Sequence, residues 1–97
     1  MKIFIAGPMS GIKDYNRPAF HAAAAKLRAK GHEVVSPSEL ITDANYTKWS
    51  AAMRICVAEM MTCDMVVALP GWSTSKSACI AIDLAYELEM HVIGARE

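Results

Sequence analysis

Two short apolar runs, each breaking abruptly into a loop of glycine, proline and hydroxyl residues, constrain this chain most. Lys2-Ile3-Phe4-Ile5-Ala6 gives way at once to Gly7-Pro8-Met9-Ser10-Gly11, and Asp64 to Leu69 gives way to Pro70-Gly71-Trp72-Ser73-Thr74-Ser75. A continuous apolar run bounded in this way reads as a strand buried on both faces. Such strands belong to parallel sheets, where the loops at the carboxyl ends form the ligand crevice. Glycines let the backbone pass close to a bound group with no Cβ in the way. An ordinary strand-to-helix turn has the same composition, so each loop by itself is open to both readings.

Between and after these runs the pattern alternates strand with helix. Asn16 is placed to cap a helix with Pro18 in its first turn. Phe20, Ala23, Ala24 and Leu27 then fall at i, i+3, i+4 and i+7, a core-facing stripe, and Gly31 stops the helix. A second strand is expected from His32 to Val35, and an irregular stretch from Ser36 to about Tyr46. A second long helix is expected over Thr47 to Thr62, with Trp49, Ala52, Met53, Cys56 and Met60 along one side, a stripe that reads as core. A third runs from Lys76 to Glu89, with Ala78, Ile82 and Ala85 inward, and a last strand from His91 to Gly94. Right-handed crossovers then imply an α/β fold, Rossmann-like or flavodoxin-like: a four-stranded parallel sheet in the order 2-1-3-4 between helical layers. Strands one and three become central neighbours, and the switch point between them brings Gly7–Gly11 and Pro70–Ser75 to one crevice.

Composition limits the partners. Ninety-seven residues make one domain, 1–97. Ten basic residues balance ten acidic ones, so no basic stripe suits a nucleic-acid polymer. No run is long enough to span a membrane, and the N-terminus lacks a signal-peptide pattern. Cys56, Cys63 and Cys79 are odd in number and lack a C-x-x-C, as expected of reduced thiols in a cytoplasmic protein. His21, His32 and His91 form no metal-ligand spacing with them, so no metal or other cofactor is expected. A chain this small, with Met53, Met60 and Met61 on one helix, suggests a homodimer.

Ser73, Thr74, Ser75 and Ser77 sit at the expected start of the third helix. A helix N-terminus offers unpaired N–H groups and a partial positive charge that attract phosphate or carboxylate, and hydroxyls add donors. Capping by one serine accounts for part of the cluster without a ligand. Trp72 is suited either to stacking on a base or sugar or to covering the core.

Ile3-Phe4-Ile5-Ala6-Gly7-Pro8-Met9-Ser10-Gly11, Tyr15-Asn16-x-Pro18-x-Phe20 and Gly31-His32-Glu33-Val34-Val35-Ser36-Pro37 resemble the front half of a short bacterial and phage family related to the nucleoside 2-deoxyribosyltransferases. Met53-Arg54 and Cys63-Asp64, followed by Leu69-Pro70-Gly71-Trp72-Ser73-x-Ser75, resemble its back half. The resemblance covers nearly the whole chain. It implies a Rossmann-like fold and a nucleoside or nucleotide ligand, and relatives that cleave the N-glycosidic bond of 2′-deoxynucleosides or their monophosphates. It also implies that Gly7, Pro8, Met9, Ser10 and Gly11 hold sugar and phosphate. Gly71, Trp72, Ser73, Ser75 and Ser77 form the opposite wall, with Ser75 on the 5′-hydroxyl or phosphate.

The chemistry of those relatives needs a carboxylate to trap an oxocarbenium-like sugar. Ala81 stands at the position where the resemblance places the nucleophilic glutamate, and Cys56 where a second acid often lies. Asp83 is two residues on, about 200° around a helix, and is expected to face away. Asp64 begins its strand, at the end opposite the crevice. Glu59, Glu87 and Glu89 read as solvated helix charges. Glu39 and Asp43, in the irregular stretch, remain the weak substitutes. Two functions follow: a nucleotide-binding protein with weak or absent glycosidic chemistry, or a deoxyribosyltransferase or N-glycosidase working with a displaced acid.

Overall fold

Alternation in the first strand divides the molecule into two cores. In the computed structural model, which describes residues 1–96, Phe4 and Ala6 of β1 (Lys2–Ala6) point to one side, where they join Val66, Ala68, Ile82 and Ala85. Ile5 points to the other, where it meets Phe20, Ala24 and Val34. A strand with helices on both faces must be apolar at successive positions, which is why Ile3 to Ala6 carries no polar residue.

β1 pairs in parallel with β2 (Glu33–Val35) and β3 (Met65–Ala68), and β3 pairs in parallel with β4 (His91–Ile93). The sheet order is β2-β1-β3-β4. α1 (Arg17–Ala29) covers the Ile5 face through Phe20 and Ala24; α3 (Trp49–Met60) and α4 (Lys76–Glu87) cover the Phe4 face through Met60, Ala81, Ile82 and Ala85. The helices that follow β1 and β3 thus lie on opposite faces, and the loops that lead to them part between two hydrogen-bonded strands. The fold class and the strand order are those expected from the sequence; a short helix within residues 36–46, read as irregular, is an addition.

Several boundaries move inward for local reasons. α3 begins at Trp49 because Lys48 is extended, at φ −156° and ψ 162°. α4 ends at Glu87 and the chain turns at Glu89, whose φ is 58°. The stretch from Ser36 to Tyr46 is ordered by its own polar side chains. Buried Ser36 and Ser38 share a hydrogen bond of 2.8 Å at the start of the short helix α2 (Pro37–Leu40). Asn45 then donates to the Leu40 carbonyl and accepts from the Thr42 amide, both at 2.8 Å, closing the next turn.

Asn16 departs from its expected role. It occupies the residue before α1 but is left-handed, at φ 60°, and makes no side-chain cap; its amide instead donates to the Pro8 carbonyl at 2.9 Å. The first-turn proline makes the cap less needed, because Pro18 has no N–H to satisfy.

The two crevice loops meet because Gly7 has no side chain. A Cβ there would lie 2.9 Å from Leu69 Cβ, closer than real contacts permit, while the Leu69 amide donates to the Ala6 carbonyl at 2.8 Å. Gly7→Ala is therefore expected to destabilise the fold by about 1–3 kcal/mol through overpacking, read as a lower melting temperature. An unchanged melting temperature would mean that the two loops separate freely.

Candidate functional site

A cavity of about 420 Å3 opens at the carboxyl end of β1. Its floor and inner wall are apolar: Phe4, Ala6 and Gly7 from the β1 end, Met53 and Cys56 from α3, and Ala78 and Ala81 from α4. Its outer wall carries Tyr15, Arg17, Asp43, Tyr46 and Trp49. Beside it lies a smaller polar annex of about 160 Å3, bordered by Pro8, Ser75, Lys76 and Thr74. Ser10, Trp49 and Ser77 border both spaces, so the two adjoin along one wall.

The residues singled out in the sequence fall into three groups. Gly7, Met9, Ser10, Ser77 and Ala81 border the cavity, and Pro8 and Ser75 border the annex. Gly11, Gly71, Trp72 and Ser73 border neither. Gly71 is left-handed, at φ 85°, and a Cβ on it would sit 3.4 Å from Pro8 Cγ, so its part is to bring the loops together. Trp72 packs against the core, with the Arg96 guanidinium 5.9 Å from its ring centroid. Covering the core, not stacking in the cavity, is the reading that fits it.

The α3 stripe needs a parallel correction. Met60 is fully buried, and Met53 and Cys56 pack against the same core while also bordering the cavity; Trp49 and Ala52 are cavity wall. Periodicity identifies the inward face of a helix and is blind to whether that face meets protein or a void. Met61, by contrast, is exposed.

Ser75 caps α4, accepting from the Ala78 amide at 3.2 Å, and lies 3.2 Å from the Ser77 hydroxyl. Thr74 turns its hydroxyl back to the Gly71 carbonyl. Capping thus accounts for Ser75 and a local turn for Thr74, while Ser10 and Ser77 border both spaces. Lys76 stands over the Trp49 ring at 4.2 Å from its centroid, a cation–π contact that orients the shared indole wall.

The carboxylates separate clearly. Asp83 pairs with Arg96 and is exposed, away from the cavity as its helical position implied. Glu39 is held bidentately by Arg28, at 2.6 and 2.9 Å. That hydrogen-bonded guanidinium keeps its carboxyl below the ordinary carboxylate value, and Glu39 does not border the cavity. Asp43 does, 3.5 Å from Arg17. Asp64 accepts from the Lys2 amide at 2.8 Å, at the amino end of the sheet. Among the described residues no cluster of His, Cys, Asp and Glu is able to hold a metal ion, and no helix is long and apolar enough to cross a membrane.

Sequence reasoning missed Tyr15, Arg17, Tyr46 and Trp49 as site residues. The signal for Tyr15 and Arg17 was their place directly after the glycine loop. Tyr15 is held in a turn in which Asp14, Tyr15 and Asn16 all have positive φ, at 55°, 52° and 60°. Left-handed conformation costs a non-glycine residue roughly 1–2 kcal/mol. The Asn16–Pro8 bond, the Tyr15 amide on the Ile12 carbonyl at 2.9 Å and the Asp14–Arg17 pair offset that strain.

Burial in the cavity wall pushes the Cys56 thiol up to about 11. Because the folded thiol keeps its proton to higher pH than the unfolded one, its contribution to stability is complete below the ordinary thiol range and is lost as pH rises toward 11. At pH 8 a maleimide is expected to label Cys56 about a hundredfold more slowly than an unfolded cysteine, and urea to remove the difference. Fast labelling of Cys56 in the folded protein would contradict its placement.

The model of the family described as Domain of unknown function (DUF4406) matches residues 1–94. The chain therefore belongs to that family. No curated protein matches the chain.

Proposed function

We propose that this chain binds a nucleoside or nucleotide, with the base and sugar in the apolar cavity and any phosphate in the adjoining annex. The observation that carries this reading is the adjacency of the two spaces. A void within the ~300–1,000 Å3 range of small-molecule sites shares Ser10, Trp49 and Ser77 with a hydroxyl- and lysine-bearing recess at the start of α4. Aromatic walls suit the flat base. The helix N-terminus, Lys76 and the serine hydroxyls suit the phosphate. The sequence resemblance to the nucleoside 2-deoxyribosyltransferases supports the same ligand class.

Binding, not glycosidic chemistry, is the better reading. The two positions at which the resemblance calls for acids are Ala81 and Cys56, and both border the cavity. An alanine cannot trap a sugar cation, and a thiol held protonated to about pH 11 is a poor nucleophile at neutral pH. Asp43 is the one carboxylate on the wall among the described residues, and it alone keeps the enzyme reading open. Its side chain is 90% exposed and faces Arg17 at the rim, not the apolar floor. The reduced thiols suit a cytoplasmic setting.

A deoxynucleoside monophosphate at ten times its dissociation constant is expected to add about 1.4 kcal/mol of stability and to raise the melting temperature by several degrees. Ser75→Ala is expected to weaken the monophosphate more than the bare nucleoside. No shift with any common nucleotide at millimolar concentration would sink the reading.

Chromatography of a deoxynucleoside incubated with a second base is expected to show no free or exchanged base above blank for the native chain, and detectable release for Ala81→Glu. Release by the native protein would restore the enzyme reading and point to Asp43.

A further inference from the structure

Among the described residues, one guanidinium and one carboxylate border the cavity, and they stand side by side, with Arg17 Nη2 3.5 Å from Asp43 Oδ1. Neither borders the annex, so a ligand with its phosphate there meets this pair with its base. Resting on the nucleotide reading above, we infer that the Arg17–Asp43 pair reads the edge of the base and selects guanine.

Hydrogen-bond order distinguishes the bases. A guanidinium presents a fork of donors and a carboxylate a fork of acceptors. Placed next to each other, they offer two donors followed by two acceptors. Guanine alone among the common bases carries the complement in sequence: N7 and O6 accept, and N1–H and the N2 amino group, directly adjacent, donate. Adenine alternates acceptor, donor, acceptor, and thymine does the same. Cytosine has one donor followed by two acceptors and leaves half of the carboxylate fork unused. Both forks are charged, and bidentate charge-assisted contacts are the strong ones.

The pair is also built to open. Its side chains are 28% and 90% exposed, and an ion pair so solvated is weak, so a base that spreads it forfeits little. Arg17 keeps its orientation when Asp43 is engaged elsewhere, because Asp14 holds it at 3.3 Å and the Tyr15 ring lies under it at 5.2 Å. Tyr15, Tyr46 and Trp49 border the same cavity and supply aromatic faces against which a purine packs.

The test is calorimetric titration of the full chain with dGMP, dIMP, dAMP, dCMP and dTMP, repeated with Asp43→Asn. Binding of dGMP is expected to be at least about tenfold tighter than that of dAMP or dTMP. dIMP, which lacks only the N2 amino group, is expected to fall between dGMP and dAMP. Asp43→Asn is expected to erase the dGMP advantage and leave dAMP within about threefold. Asp43 sits on an exposed turn, and the dIMP arm needs no substitution, so the result does not depend on the variant folding. Equal binding of all five ligands would overturn the guanine inference and leave the nucleotide reading standing, as would a dGMP advantage untouched by Asp43→Asn. Binding of none would overturn both.

Discussion

The close passage of Gly7 against Leu69 is the contact on which the rest depends. β1 and β3 are hydrogen-bonded neighbours through Ala6 and Ala68, and the Leu69 amide carries the ladder one step further. A side chain at residue 7 would wedge the strand ends apart. Without it, the β1 loop turns toward α1 and the β3 loop toward α4, and a void lies on the Phe4 face between α3, the start of α4 and the segment over residues 41–46. The cavity is thus a consequence of sheet topology, and its polar annex a consequence of starting α4 with hydroxyl residues.

The character of that void follows from small substitutions on its walls. Ala81 and Cys56 sit on the inner faces of two helices, where a carboxylate would face its partner across the floor. Their apolarity removes charge from the deep end, and burial then keeps the thiol protonated. What charge the site holds is displaced to the rim, in Arg17 and Asp43, and to the annex, in Lys76. On the proposed reading, such a distribution would hold a ligand by its two polar ends and leave its middle against apolar side chains.

The fold was legible in the sequence because its signals are local and mutually consistent. Apolar runs ending in glycine and proline marked β1 and β3, and the Phe20–Ala24 stripe marked the inward face of α1. Handedness then left one economical topology. The site was legible only in part. Gly7 and Ser10, singled out at a strand end, Ser77, singled out at a helix start, and Ala81, singled out by the resemblance, all border the cavity, whereas Trp72 packs against the core through contacts no spacing encodes. The cavity-facing part of the α3 stripe was indistinguishable from core because a helix face toward a void and a helix face toward packed protein have the same period. The loop that carries Tyr46 and Asp43 over the cavity is shaped by Asn45 side-chain bonds, and a single sequence gives little means of foreseeing that geometry.

The central claim is that two loops, distant in sequence, form one ligand site. Amide chemical-shift mapping of this small protein during a dGMP titration tests it most directly. The amides of Gly7, Met9 and Ser10 and those of Ser75 to Ala78 are expected to move together, with one shared dissociation constant, while those at the opposite end of the sheet, around Lys2 and Asp64, stay still. Shifts confined to one of the two loops, or centred elsewhere on the surface, would contradict it.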